Sequence, residues 1–112
     1  MSEPFTPQEI ECQLSTLPHW EVCEGWLRRT YSTPGWGHTL LLVNQIAYIA
    51  EAAWHHPDLE IGYARVVVKL QTHRVRGLTA LDFELARRIE ELATWQPAES
   101  SPLEGFPKKW VH

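Results

Sequence analysis

The chain has 112 residues, of which 44% are hydrophobic and 21% are charged, and its formal net charge is −4. These values are typical of a single globular domain and exclude a disordered chain. The basic residues are scattered and no run of about 18 apolar residues occurs, so neither nucleic acid nor a membrane is an expected partner.

The first predicted element is a helix. Thr6 can cap the free amides at its start, Pro7 fits the first helical position, and Glu9 can complete a capping box. We expect this helix to run to about Leu17, because Pro18 cannot continue it.

A β-hairpin and a long helix follow. The segments His19 to Cys23 and Trp26 to Thr33 are rich in aromatic and β-branched residues, and Glu24-Gly25 between them is a favoured turn pair. The segment His38 to Trp54 contains no breaker and predicts the central helix. Its apolar residues cover more than the single stripe that one sheet contact needs, which indicates a second buried face.

A polar stripe interrupts this apolar helix. Asn44, Tyr48, Glu51 and His55 follow one another at spacings of four, three and four, which places them on one side of the predicted helix. Pro57 then ends the segment and forces a change of direction at His56.

The rest of the chain predicts one further strand, a short fourth strand and a last helix. Residues 63–71 alternate, with one face formed by Val66, Val68 and Leu70 and the other by Arg65, Val67 and Lys69. Residues 59–61 fit a short additional strand. Thr79 and Asp82 predict the capped start of a helix that spans about 80–94.

This order of elements predicts the fold class. An α-β-β-α-β-α order favours an α+β protein, with an antiparallel sheet of three to four strands and three helices on one face. Residues 1–95 are expected to form a single domain. Residues 96–112 are rich in Pro, Ser and Glu and are expected to form an irregular C-terminal tail.

Two features favour the cytoplasm as the compartment. The sequence MSEPFTPQEI has neither the basic n-region nor the apolar h-region of a secretory leader. Cys12 and Cys23 form no CxxC motif and are expected to be reduced, buried thiols.

Three histidines, His55, His56 and His73, border the predicted sheet and form the candidate catalytic site. Imidazole is the side chain best suited to donating and accepting protons near neutral pH. Glu51 lies one turn before His55 and is expected to accept a hydrogen bond from it. Asp82 can support a neighbouring histidine in the same way, although capping of the last helix alone also explains an acid at this position.

A zinc site is the competing interpretation, since three imidazoles and a carboxylate suffice to bind a metal. Neither an H-x-x-x-H nor an H-x-H spacing occurs among these histidines, however, and adjacent histidines at a helix end point in diverging directions. We therefore expect no metal. The chain also lacks the glycine-rich loops of nucleotide-binding proteins.

A long gapped motif resembles the signature of the pterin-4a-carbinolamine dehydratases. Its parts are Glu51-x3-His55-His56-Pro57-Asp58, Tyr63, Thr72-His73 and Gly77-Leu78-Thr79-x2-Asp82. The resemblance extends over about residues 17–93. It implies dehydration of 4a-hydroxytetrahydrobiopterin to the quinonoid dihydropterin, in the recycling of tetrahydrobiopterin, without a metal or another cofactor.

The resemblance also implies roles for individual residues. The three histidines would act as acid/base and binding groups, with Glu51, Asp82, Pro57 and Trp54 in supporting or binding positions. The apolar central helix then predicts a homodimer or homotetramer.

Trp54 keeps a second interpretation open. Similar proteins usually carry a small polar or acidic residue at this position, and an indole could fill part of a pterin pocket. Relatives that resemble the dehydratases but act as Rubisco assembly factors make a catalytically silent protein, with Rubisco as its partner, the alternative. If Trp54 instead turned away and packed under the tail, against Phe106 or Trp110, the pocket would remain open.

Overall fold

The computed structural model describes residues 3–107 and 109–112. Its elements in chain order are α1 (Pro7–Leu14), β1 (Glu21–Cys23), β2 (Trp26–Ser32), α2 (Trp36–Ala53), β3 (Asp58–Gly62), β4 (Arg65–Leu70) and α3 (Ala80–Thr94). The order α-β-β-α-β-β-α confirms the predicted α+β class, and β3 is the fourth strand expected near residues 59–61.

The four strands form one antiparallel sheet in the order β1-β2-β4-β3. The predicted hairpin joins β1 to β2 through Glu24 and Gly25, whose φ angles of 52° and 82° are both positive. Two consecutive positive φ angles are those of a type I′ turn, which matches the twist of the flanking strands. The turn pair that the sequence predicted therefore sets the register of the hairpin.

The core lies between one face of this sheet and the helices. Its fully buried members come from β2, β4, α2 and α3, and include Leu27, Tyr31, Val66, Val68, Leu70, Ile46, Phe83 and Ile89. The alternation predicted for β4 is thus confirmed on its core side. Val67 on the opposite face is also fully buried. On that face its cross-strand partner Glu60 and its neighbour Lys69 pair with each other at 3.5 Å.

Helix α1 ends three residues earlier than predicted, at Leu14. The Ser15 hydroxyl donates to the Cys12 carbonyl at 2.6 Å, and the Thr16 hydroxyl donates to the Gln13 carbonyl at 3.0 Å. Such side-chain bonds compete with the helical pattern and end it. The expectation of buried thiols is wrong for Cys12, which is exposed, although both cysteines are free.

In its described residues, 96–107 and 109–112, the tail contains no helix or strand, but its end packs against the sheet. Strand β1 pairs only with the first half of β2, so the outer edge of β2 is uncovered near Ser32. There the Ser32 amide donates to the His112 carbonyl at 2.9 Å, and the His112 amide donates back at 3.0 Å. Val111 is buried beside this contact. The tail thereby satisfies backbone groups at a strand edge that would otherwise be open.

A polar cluster around Glu90 ties α3 to β2. The Glu90 carboxylate accepts hydrogen bonds from the Trp20 indole at 2.9 Å, the Tyr31 hydroxyl at 2.7 Å and the Arg29 guanidinium at 3.0 Å. Burial alone would raise the pKa of Glu90, but these donors outweigh burial and hold the pKa below its ordinary value. Burial, together with the Glu90 charge, raises the pKa of Tyr31. The cluster therefore stays as a carboxylate with a neutral phenol.

Within residues 3–107 and 109–112, no helix has the length and apolar character needed to span a membrane.

Candidate active site

The three predicted histidines meet at one end of the sheet. His55 and His56 follow the end of α2, and His73 begins a single 3-10 turn, His73–Val75, directly after β4. All three line a cleft of about 570 Å³, together with Trp54, Pro57, Asp58, Gln71, Thr72 and Arg74. The structure therefore places His73 in the same cleft as His55 and His56, which precede it in the sequence by 18 and 17 positions.

Asp82 is the buried anchor of this cleft. Its side chain is fully buried, and Oδ1 lies 2.7 Å from Nε2 of His55. Oδ2 accepts hydrogen bonds from the Thr72 hydroxyl at 2.7 Å and from the Thr79 amide at 2.9 Å. Asp82 thus caps α3 and also holds His55 in place. The two interpretations of this residue, helix cap and support for a histidine, therefore both apply.

The expected pairing of Glu51 with His55 is wrong. Glu51 lies 2.8 Å from Nε2 of His56, at the exposed rim of the cleft. Helix α2 ends at Ala53, and Trp54 adopts the left-handed conformation with φ 55° and ψ 45°. Because the backbone changes direction here, His55 does not continue the polar stripe of α2. Its ring instead contacts Asp82, and the His56 ring contacts Glu51.

Each of these two rings is held in a defined tautomer. A carboxylate only accepts hydrogen bonds, so Nε2 of His55 and Nε2 of His56 each carry a proton toward their partner. In the neutral rings, Nδ1 then bears the lone pair. The two rings differ in access, because 16% of the His55 side chain is exposed against 50% for His56.

Trp54 does not pack under the tail. Its side chain is 76% exposed, and its ring meets the His56 imidazole edge-on, with centroids 5.0 Å apart. Phe106 and Trp110 instead contact His38, on the opposite half of α2. The interpretation in which Trp54 packs beneath the tail is therefore wrong. Its indole lies instead at the rim of the cleft.

Substituting Trp54 with asparagine is expected to raise the thermal stability of the protein. The left-handed conformation is costly for a bulky residue, whereas asparagine adopts it readily, and an exposed indole contributes little burial. We expect a gain of about 1 kcal/mol in the free energy of unfolding, measured by thermal and urea denaturation. Trp95 is a matched control, since it is similarly exposed at the end of α3 but has a negative φ of −60°. An equal gain from Trp95→Asn, or a loss from Trp54→Asn, would contradict this account.

Thr72 is a site residue whose role the sequence reasoning missed. Its hydroxyl bonds both to Asp82 and to the Thr79 hydroxyl, the latter at 2.9 Å, and it is buried between them. The available signal was its spacing: Thr72 lies two residues after core-facing Leu70, so the alternation of β4 carries it inward.

A larger groove lies elsewhere on the molecule. It has about 670 Å³ and is formed by α2, the end of α3 and the tail, with Leu41, Leu92, Trp95, Leu103 and Phe106 among its walls. None of its lining residues is a histidine. We therefore assign the candidate active site to the smaller cleft, whose imidazoles can transfer protons, and not to this larger groove. Among the described residues, no group of three or more His, Cys, Asp or Glu side chains is arranged to hold a metal ion.

The fold and the cleft define a small α+β protein with an imidazole–carboxylate site at one end of an antiparallel sheet. Residues 3–92 match the sequence model of the family described as Pterin 4 alpha carbinolamine dehydratase. The chain belongs to this family.

Individual relatives agree with this assignment. The chain is 42% identical over 92 residues to a protein of Aquifex aeolicus, covering 82% of this chain and 93% of that one. It is 41% identical over 93 residues to a protein of Thermosynechococcus vestitus, covering 83% and 98% respectively. Both relatives are named, provisionally, as pterin-4-alpha-carbinolamine dehydratases.

Two solved structures are similar. A protein of Brucella melitensis described as a transcriptional coactivator/pterin dehydratase superposes with a TM-score of 0.77 and 29% identity, covering 81% of this chain and 99% of that chain. A pterin dehydratase-like protein described as a RuBisCO assembly factor in the alpha-carboxysome superposes with a TM-score of 0.55, covering 66% and 86%. At 17% identity, the second likeness shows the fold alone.

Proposed function

We propose that this protein dehydrates 4a-hydroxytetrahydrobiopterin, the pterin-4a-carbinolamine, to the quinonoid dihydropterin in the recycling of tetrahydrobiopterin. The observation that carries the proposal is the convergence of His55, His56 and His73 on one cleft, with carboxylates holding the first two. The free thiols Cys12 and Cys23 support a reducing compartment, and we propose the cytoplasm.

The reaction needs two proton transfers and no electron transfer. A proton is delivered to the hydroxyl on C4a, the C4a–O bond breaks and water leaves. The proton on N5 is withdrawn, and its electron pair forms the new C=N bond. A donor and an acceptor placed around one bicyclic ring therefore suffice, and imidazoles can fill both roles near neutral pH.

The cleft offers these groups in distinct settings. The neutral rings of His55 and His56 present a lone pair at Nδ1, because their Nε2 protons are engaged by Asp82 and Glu51. His73 lines the same cleft but belongs to a different element, the turn after β4. A substrate bound in this cleft would meet imidazoles from two separate segments of the chain, so that different rings can deliver and remove protons.

Turnover by the purified protein tests the proposal. We expect it to accelerate dehydration of the carbinolamine, and to do so equally after treatment with a metal chelator, because the imidazoles supply acid and base by themselves. Stopped-flow absorbance of the quinonoid product measures the rate. A rate equal to the uncatalysed one would overturn the proposal, and loss of activity to the chelator would indicate a metal site instead.

Trp54 favours a second candidate function. Its exposed indole stands at the rim of the cleft beside His56, where a bulky side chain would hinder the entry of a substrate ring. A protein with an obstructed cleft could act by binding alone, as a Rubisco assembly factor. The yield of assembled Rubisco, measured with and without this protein alongside the turnover assay, separates the two functions: turnover without an effect on assembly would exclude the second.

We also propose that the protein is a homodimer or homotetramer formed through α2. Leu40 and Leu41 lie on the exposed side of this helix, at 39% and 57% exposure. Apolar side chains on a helix face are stabilised when a second copy covers them. Light scattering should give a mass above the 13.0 kDa of one chain, and a monomer would contradict the proposal.

A further inference from the structure

His73 differs from the other two histidines in the contacts that orient its imidazole ring. His55 and His56 are each held by a carboxylate, at 2.7 and 2.8 Å. Within the described part of the chain, the His73 ring makes no hydrogen bond, and its side chain is exposed. The ring contact that it does make is with Trp26, whose centroid lies 5.6 Å away at an interplanar angle of 73°.

Trp26 is itself fixed from several directions. It is the first residue of β2 and pairs with Cys23 across the hairpin turn. The Lys69 ammonium lies over the indole, 5.1 Å from the ring centroid, and is also paired with Glu60 at 3.5 Å. The cation and the strand together leave the indole little freedom to rotate.

The hairpin turn beside Trp26 is also tied to the cleft. The side-chain amide of Gln71 donates to the Gly25 carbonyl at 3.0 Å, and Gln71 is two residues before His73. The position of the indole relative to the 3-10 turn is thereby set by the sheet and not by a loose loop. An edge-to-face contact with such a ring restricts the torsions of an otherwise unheld imidazole.

We propose that Trp26 is a positioning residue for His73, fulfilling the role that Asp82 and Glu51 fulfil for the other two histidines. The inference rests on the proposed function only insofar as His73 transfers a proton. The contact between the rings stands independently of activity. Through this ring contact, Trp26 keeps the His73 imidazole directed into the cleft. Because the side chain is already ordered, less of its conformational entropy is lost when a substrate binds.

The contact is tested by NMR with isotope-labelled histidine. A ring held against an indole has C–H resonances displaced by the ring current. We expect the His73 resonances to be displaced in the wild type, to stay displaced in Trp26→Phe, and to return to ordinary positions in Trp26→Leu. Trp95→Leu, which removes an exposed indole at the end of α3, is the control and should leave His73 unchanged.

Kinetics test the consequence for catalysis. Trp26→Leu should lower kcat about tenfold with KM changed less than about twofold, because a misaligned proton-transfer group affects the reaction more than binding. Trp26→Phe should restore most of the rate, since a phenyl ring still offers a face to the imidazole. Trp95→Leu should leave both constants unchanged.

The outcomes separate this inference from the proposed function. Displaced His73 resonances in a protein without turnover would uphold the contact and overturn the function. Wild-type turnover with undisplaced His73 resonances, or with kcat unchanged in a folded Trp26→Leu protein, would overturn the role of Trp26. If Trp26→Leu does not fold, the spectra of the wild type and Trp26→Phe still decide whether the contact exists.

Discussion

Alanine at His56 or at His73 is expected to lower kcat for carbinolamine dehydration roughly 10²-fold or more, the usual contribution of a positioned acid or base. These two histidines suit the test because they lie at the exposed side of the cleft, so removing the ring costs little packing. Far-ultraviolet circular dichroism and thermal melting establish that the variants are folded, and steady-state kinetics give kcat and KM.

His19→Ala is the matched control for these variants. His19 is exposed in the segment before β1 and is not among the residues that line the cleft. Its removal should leave kcat unchanged. A fall of less than about threefold in both His56→Ala and His73→Ala would exclude these residues as the proton-transfer groups, since even weak general catalysis contributes more.

Alanine at Asp82 is expected to destabilise the protein by about 3–5 kcal/mol, because each buried donor left without an acceptor costs about 1–3 kcal/mol. Three groups lose their acceptor together: Nε2 of His55, the Thr72 hydroxyl and the Thr79 amide. All three are directed at a fully buried carboxylate, so water cannot readily replace it. The midpoint of urea denaturation measures the loss.

Two comparisons separate the roles of Asp82. Glu9 occupies the same third position in the capping box of α1, but it is exposed and holds no histidine. Glu9→Ala should therefore cost only about 1 kcal/mol, the value of a cap alone. Asp82→Asn retains an acceptor for the Thr79 amide and should be more stable than Asp82→Ala, yet it should still lower kcat because His55 loses its carboxylate. Equal losses in the free energy of unfolding for Asp82→Ala and Glu9→Ala would show that Asp82 acts only as a helix cap.

Much of the fold could be predicted from short-range signals. The two capping boxes, the Glu24-Gly25 turn and the alternation of β4 each act within a few residues, and the structure contains all of them. The boundaries were less accurate. The hydroxyls that end α1 early compete with the helix by only small energies, which a pattern of residue types does not resolve.

For the candidate site, the sequence by itself was enough to group three of the residues that line the cleft. His55, His56 and His73 were grouped from their spacing, and the structure places them around one opening. It did not determine which carboxylate holds which imidazole, because Glu51 and His55 were paired on the assumption that the helix continues to His55.

Only the tertiary structure decided these partners. The left-handed backbone at Trp54 ends α2 and rotates the next two side chains, so that His55 reaches Asp82 across 27 positions of sequence. The contact of Trp26 with His73 likewise depends on strand pairing that places β2 beside β4. A helical spacing specifies neighbours only while the helix lasts, and contacts beyond its end depend on where the packed sheet and helices bring distant residues together.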